Sequence, residues 1–383
     1  MQILIAPNAF KHSLSAEQAA SAIEKGFLQS KLDCQCELFP VGDGGDGTGE
    51  LLIKRLEGKI VTTEVHGPLG KKINASFGLI DGDKTAVIEM ANASGLSLLK
   101  KEELDPLHAT SFGTGEQIKA ALDRGVKKII IGMGGSATID GGTGILRALG
   151  LRFLNAKGEE LKGGPVFLNE LATIDPFSMD KRVKDTVIVV LCDVNNLLLG
   201  EKGAAAVFGP QKGASTGDVQ ILDKALTRFS DITFQQMEKE IATVKHGGTA
   251  GGAAAGLCAF LNAKLVNGIE YFLELTKFNG SLGKADLVIT GEGSIDEQTL
   301  HGKAPYGVAR AAKQKGKRVI AFAGKIPSTT NPALNKYFDE LISINPESVE
   351  LETALAEAEK NLIRTATEKG NLLATKNNKN NNG

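Results

Sequence analysis

The sequence predicts an α/β protein of two domains with largely parallel sheets, and three observations carry that prediction. Short runs rich in β-branched residues recur along the chain, most of them followed by glycine and then an amphipathic stretch. Such alternation is the pattern of parallel βα units. One segment, residues 60–91, breaks the rhythm: it alternates apolar and polar residues between turn signals and contains no helical stretch. Finally, 383 residues exceed what one ordinary core holds, so two domains are the starting assumption.

The elements follow in order. "QILIAP" (2–7) opens as a strand, and "SAEQAASAIEKGFLQS" (15–30) is an amphipathic helix with Ser15 as its N-cap. "CELFPV" (36–41) is the second strand. Residues 60–91 read as an antiparallel meander turning at "GPLG" and "DGDK". Further strands are expected at 127–134, 186–194, 285–293, 318–324 and 340–344, with helices at 115–125 and 307–316. A meander after two βα units means that the chain has left its first domain, and the βα units near 285 mean that it returns. The expected division is therefore 1–62 with 284–374 as one discontinuous α/β domain and 63–283 as an inserted α/β domain carrying the meander. The low-complexity end "TKNNKNNNG" (375–383) is expected to be disordered. No internal repeat is visible.

Composition narrows the function classes. A formal net charge of −1 with scattered basic residues gives no electrostatic reason for a nucleic acid or an anionic membrane as partner. The N-terminus enters a strand directly, with no secretory or transit signal. The apolar stretch "GGTAGGAAAGLCAFL" (247–261) is shorter than a bilayer needs and suits a close-packed helix start. Cys34, Cys36, Cys192 and Cys258 form no CxxC pair and read as reduced thiols. A cytosolic protein is expected.

In open parallel sheets, ligands bind beyond the carboxyl ends of the strands, where loop amides and helix N-termini point. The loops there carry "NAFKHSLSA", "PVGDGGDGT" (40–48), "GMGGSATIDGGTG", "CDVNN", "GEGSIDEQTLHGKAPYG" and "GKI". Any one alone reads as a connection, because glycine and aspartate favour turns and caps anywhere. Together they place Asp43, Asp46, Asp140, Asp193, Glu292 and Asp296 at one kind of location, with Lys11, Lys303 and Lys325 among them. Close carboxylates repel unless something cationic sits between them. Carboxylates for magnesium, bare glycine amides for phosphate oxygens and lysines for the transferred charge are what phosphoryl transfer requires.

Named motifs exclude more than they establish. No GxxxxGK[ST] and no paired metal-ligating histidines occur, and "DGDKTA" lacks the glycine and glutamate of a calcium loop. "GMGGSA" (132–137) matches GxGxxA after a strand, but the acid such a dinucleotide site requires falls only at Glu159 or Glu160, inside a polar turn.

Five stretches now resemble one family: "IAPNAFKHSLSA" (5–16), "PVGDGGDGT" (40–48), "GMGGSATIDGG" (132–142), "CDVNNLLLGEKGAAAVFGPQKGAS" (192–215) and "ITGEGSIDEQTLHGKAPYGVA" (289–309). In this order, and spanning nearly the whole chain, they are similar to the bacterial type I glycerate kinases. The resemblance implies two α/β domains: one Rossmann-like with a mainly parallel sheet, the other a mixed-sheet domain inserted into it, with the active site in the cleft between them. It also implies ATP- and Mg2+-dependent phosphorylation of D-glycerate in the cytoplasm, to 2-phosphoglycerate rather than 3-phosphoglycerate. Four positions depart from the pattern. Asn8 stands for an acid, His12 for glycine, Asp46 for glutamate, and Asn196-Leu197 for Asn-Pro.

A sugar-acid kinase needs a base, cations for the substrate carboxylate and a metal–phosphate cradle. Asp193, at the end of the most apolar strand, is the expected base or magnesium ligand, with Asp296 and Glu292 next in line. Lys11 is expected at the substrate carboxylate or a phosphate. The amides of "GDGG" (Gly44, Gly45) and of "GGSAT" (Gly134, Gly135, with Ser136) are expected to take phosphate, and Asp43 to face the ligand. Ser13, Asn195, Gly291 and Lys303 complete the expected binding set. The expected partners are glycerate and ATP, with room for a homodimer. Two other classes stay open: a NAD-dependent oxidoreductase using "GMGGSA", and a non-catalytic two-lobed small-molecule binding protein.

Overall fold

The computed structural model describes residues 1–329, 332–346 and 349–381. The strands among them are β1 (Gln2–Pro7), β2 (Gln35–Leu38), β3 (Lys59–His66), β4 (Lys72–Ile80), β5 (Thr85–Glu89), β6 (Lys128–Gly132), β7 (Arg152–Leu154), β8 (Thr173–Asp175), β9 (Val187–Cys192), β10 (Lys264–Asn267), β11 (Leu287–Ser294), β12 (Arg318–Lys325) and β13 (Glu340–Ser343). All seven strands expected from β-branched runs are present, and β3 to β5 form the expected meander. The chain divides into two compact units: Met1–Asp43 with Ile269–Gly383, and Gly44–Gly268.

In unit 1 the sheet order is β13-β12-β11-β1-β2, with every neighbouring pair parallel. From β1 the chain moves to β2 on one side, whereas β11, β12 and β13 follow on the other, so the order reverses between β1 and β11. In a parallel sheet that reversal opens a crevice at the carboxyl ends. Ile3, Ile5, Leu287, Ile289, Ile320 and Phe322 pack with Ile23, Phe27, Leu362 and Ala366 on one face. Two helices supply that cover. Ala16–Gln29 starts at a Ser15–Gln18 capping box, and Ala358–Asn381 crosses it at Gly26. A β-carbon on Gly26 would lie 2.4 Å from Ile363 O, so glycine is required for the two helices to approach this closely. Residues 375–381, read from composition as disordered, continue this helix to Asn381. Adding residues to a packed helix is much easier than nucleating one. Residues 382 and 383 of that expectation lie outside the described residues.

Unit 2 holds the mixed sheet β10-β9-β6-β5-β4-β3 and a small β7–β8 pair. β3, β4 and β5 run antiparallel, while β5, β6, β9 and β10 are parallel. Its core sets Ile129, Ile131 and Val190 against Ile118, Ile145, Phe153, Phe229 and Leu257. Phe229 stacks on Phe260 with ring centroids 5.9 Å apart. The sequence reading sets the domain crossings at 62/63 and 283/284, later in the chain than the two units divide. The helix Thr48–Arg55 reads as the second βα unit of the first sheet, but it packs on β4 and β5, and β3 pairs with β4. At the return, Ile269 lies against Gly307 of the helix Ala304–Gln314 in unit 1. Among the described residues, no helix is long and apolar enough to cross a membrane.

Candidate active site

Unit 1 gathers polar side chains where its strand order reverses. Past the end of β1, Asn8 donates its backbone N–H to Gly291 O on β11 at 2.8 Å. Its side-chain Oδ1 accepts the Ala9 N–H, and Nδ2 donates to Asp43 Oδ2 at 3.1 Å. The same Asp43 oxygen faces the Ala304 N–H at 3.4 Å. Ala304 begins an eleven-residue helix, whose first amides carry the positive end of its dipole. Asp43 thus lies buried against an amide end and an amide side chain, and Asn8 supplies a donor where an acid would supply a second negative charge.

Glu292 follows on β11, 8% exposed, and accepts from Thr299 Oγ1 at 3.1 Å. Burial pushes its carboxyl up to about 7; Lys303 and Lys11 pull it down, and the Asp43 charge pushes it up. Half-buried Asp296 caps the turn Glu297–His301: Oδ1 accepts the Gln298 N–H at 2.8 Å, and its side chain and that of Thr299 form a capping box. Lys303 is half-buried just before Ala304, and Lys11 is exposed. His12 takes φ 66°, the left-handed region that glycine occupies without strain. Two expected binding residues have other demands on them. The Ser13 hydroxyl donates to Leu355 O at 2.7 Å, and a β-carbon on Gly291 would lie 2.2 Å from Phe322 O on β12.

In unit 2 the loops after β6 and β9 leave the carboxyl edge of the sheet, and the segment from Gly44 to Gly47 lies over them. Gly44 takes φ 95°, and a β-carbon there would meet Leu191 O at 2.8 Å. Gly44 O accepts the N–H groups of Met133 (3.2 Å) and Gly134 (3.1 Å). A β-carbon on Gly134 would lie 2.2 Å from Asp46 N and 2.3 Å from Gly45 C, so the two glycine-rich loops touch backbone to backbone. Gly135 faces the Asp46 carboxylate, and Asp46 itself is exposed. After β9, Asp193 is half-buried and Asn195 exposed. The "HGGTAGG" run connects the two loops: Gly251 O accepts from Gly141 N at 3.0 Å, and Gly248 N donates to Asn196 O at 2.9 Å. The helix that follows begins at Ala253.

Three buried charged groups add to this edge. Glu89 ends β5 and accepts the Gly49 N–H at 2.8 Å. Burial pushes its carboxyl up to about 7, against the Gly49 and Gly47 amides, with Asp46 and Glu50 adding to the rise. Asp140 accepts from Ser111 N, Ser111 Oγ, Gly142 N and Gly144 N at 2.7–3.1 Å, which fixes the start of the helix Thr143–Ala148. Lys212, 2% exposed, donates to Ser136 Oγ (2.9 Å) and Thr138 O (2.8 Å). Neither Glu89 nor Lys212 figures among the sequence candidates. The available signals were an acid closing an apolar strand and a lysine held between Pro210 and Gly213.

The unit-1 cluster therefore combines Asp43, Glu292 and Asp296 with Lys303 and Lys11. The unit-2 edge combines two glycine loops with Asp193. Among the described residues no group of three His, Cys, Asp or Glu side chains is arranged to hold a metal ion. A single carboxylate such as Asp296 fits the attachment that Mg2+ takes when phosphate and water complete its shell.

Comparison with known proteins bears on this chemistry. Residues 3–374 match the glycerate kinase family model. The chain is 45% identical over 364 residues to a glycerate kinase of Halalkalibacterium halodurans, covering 95% of this chain and 96% of that one. It is 44% identical over 375 residues to a glycerate 2-kinase of Escherichia coli, covering 98% of each. A crystal structure assigned as glycerate kinase 2 from Salmonella typhimurium superposes with a TM-score of 0.82 at 44% identity, over 99% of each chain.

Proposed function

The chain belongs to the glycerate kinase family, and from that premise we propose that it transfers the γ-phosphoryl group of ATP to the 2-hydroxyl of D-glycerate in the cytoplasm. The products are 2-phosphoglycerate and ADP. The observation that carries this reading is the backbone-to-backbone seating of Gly44–Asp46 on Met133–Gly135, which brings two glycine-rich loops and the Asp46 carboxylate together on a sheet's carboxyl edge. Whole-length similarity to a protein named glycerate 2-kinase supports the choice of hydroxyl.

In the proposed reaction, the substrate hydroxyl attacks phosphorus as its proton passes to a carboxylate, and the bond from phosphorus to the ADP oxygen breaks. Asp193 is our choice for that carboxylate, because the buried strand β9 fixes it from behind. Glu292, with its carboxyl near 7, is poised to hold or release a proton. Lys11 and Lys303 are assigned to substrate carboxylate or phosphate, and the loops of Gly45 and Gly135 to phosphate oxygens; the Gly44 and Gly134 amides expected there are already given to Thr48 Oγ1 and Gly44 O, both at 3.1 Å. Asp193 and Asp296 are each candidates for magnesium, which when bound would offset phosphate charge.

The dinucleotide alternative fits less well. In that fingerprint the second glycine lets the backbone approach a pyrophosphate and a helix opens directly after it. Here Gly134 is filled by Asp46 and Gly45, and the helix begins only at Thr143. Coupled ADP release tests the proposal: glycerate-dependent release with Mg-ATP is expected. Ligand-induced stabilisation without turnover would favour a binding protein instead.

A further inference from the structure

Lys212 lies apart from the residues given roles above, and its chemistry is unusual for a buried side chain. It follows Pro210 in a short turn and precedes Gly213 (φ 96°), which is seated against Leu104. An ammonium has three N–H donors and no acceptor. Ser136 Oγ and Thr138 O take two of them, and the third has no acceptor among the described residues. Asp140 is the charged group that acts on it, and its carboxylate is already engaged with the Ser111, Gly142 and Gly144 amides.

The effect on Ser136 is specific. Its backbone is fixed by a bridge to Gly95: Leu96 N donates to Gly135 O and Ala137 N to Ser94 O, both at 2.8 Å. Its hydroxyl oxygen is an acceptor for Lys212, so its one proton must point away from the lysine, and it finds no acceptor among the described residues. Near it, Thr138 Oγ1 is buried with no partner among the described residues. The loop of Gly134 and Gly135 therefore leads into hydroxyls, Ser136 and Thr138, whose hydrogen-bonding capacity no described residue fully uses.

We propose that Lys212 is a positioning residue: it holds the proton of the buried Ser136 hydroxyl pointed away from itself, as a donor to an oxyanion, either the glycerate carboxylate or a phosphate oxygen of ATP. This deepens the kinase reading and rests on it. Burial pushes the Lys212 ammonium down to about 7, against the pull of Asp140. Below that pH the ammonium can only donate, and Ser136 is held as described. Above it, the neutral amine has a lone pair that can take the Ser136 proton inward, so oxyanion binding weakens as pH rises through about 7.

The test is direct binding of D-glycerate alone and of Mg-ATP alone, by calorimetry from pH 5.5 to 8.5, to wild type, Ser136→Ala, Lys212→Met and the double variant. One of the two ligands should lose affinity by about tenfold in each single variant, and which one identifies the oxyanion. The double variant should bind no more weakly than Ser136→Ala, and Ser136→Ala should lose the wild type's decline in affinity across neutral pH. Additive losses, or the same decline in Ser136→Ala, would overturn the proposal. The Ser136→Ala arm decides it even if Lys212→Met does not fold. Wild-type turnover, measured alongside, keeps failure of the kinase reading distinct.

Discussion

The backbone of Gly134 passes so close to that of Asp46 that a β-carbon would have to sit 2.2 Å from the Asp46 amide nitrogen. The two glycine-rich loops of unit 2 are thus one object, and the second glycine of "GMGGSA" exists for that contact. Gly134→Ala must push the loops apart. The expected cost is about 1–3 kcal/mol of stability and a fall in kcat/KM on the order of 10² from displaced phosphate amides. Kinetics beside a urea melt separate the two effects, and unchanged kcat/KM would show that these loops do not bind phosphate.

Asn8 and Asp43 make a second pair whose chemistry can be switched. Asn8→Asp replaces the donor on Asp43 Oδ2 with a second carboxylate at about the 3.1 Å of the present contact. Two such groups cannot both ionise without cost, so one titrates upward. The variant should match wild type near pH 4 and fall below it by about 1–2 kcal/mol at pH 8, as thermal melts at the two pH values would report. Equal stability at pH 8 would mean that the charges are held apart or compensated.

Glu89 and Glu292 should set a slope in stability with pH. Both carboxyls are raised by burial from 4.5 to about 7, so between these values the folded protein binds protons that the unfolded chain has released. Their contribution is fully present below about 4.5 and is lost as pH rises through 7. Glu89→Gln keeps an acceptor for Gly49 and removes the buried charge, so its gain over wild type should grow from pH 5 to pH 8. Each group is worth on the order of 3 kcal/mol across that window. A gain that does not change with pH would mean that Glu89 ionises freely.

Asp193→Asn should lower kcat by 10²–10⁴, roughly what a positioned proton acceptor contributes, with an unchanged circular dichroism spectrum. Near-normal turnover would remove Asp193 from the role of base and direct attention to Glu292.

Much of this architecture can be read from the chain. β1, β6, β9, β11 and β12 are apolar runs, and all but β1, which ends at Pro7, close at glycine or aspartate, which is how a strand buried on both faces is written. The acids Asp43, Asp193, Glu292 and Asp296 follow from the rule that parallel sheets act at their carboxyl ends. β10 escaped notice because "KLVN" follows a helix without a glycine break. The β7–β8 pair has only three residues per strand. The helix Thr48–Arg55 looks like any βα crossover, and only its packing on β4 and β5 assigns it to unit 2. Lys212 is 76 residues from Ser136, and no local pattern connects a lysine in a proline turn to a serine that far away. Ser13 and Gly291 show the converse: residues placed suitably for a ligand, but serving Leu355 O and the β11–β12 approach.

The central claim is the identity of the phosphorylated hydroxyl, and phosphorus NMR of the product formed from D-glycerate and Mg-ATP tests it most directly. Phosphate on the 2-oxygen couples to the single proton of its carbon and appears as a doublet, which is the result predicted here. A triplet, from coupling to the two protons of the 3-carbon, would contradict it.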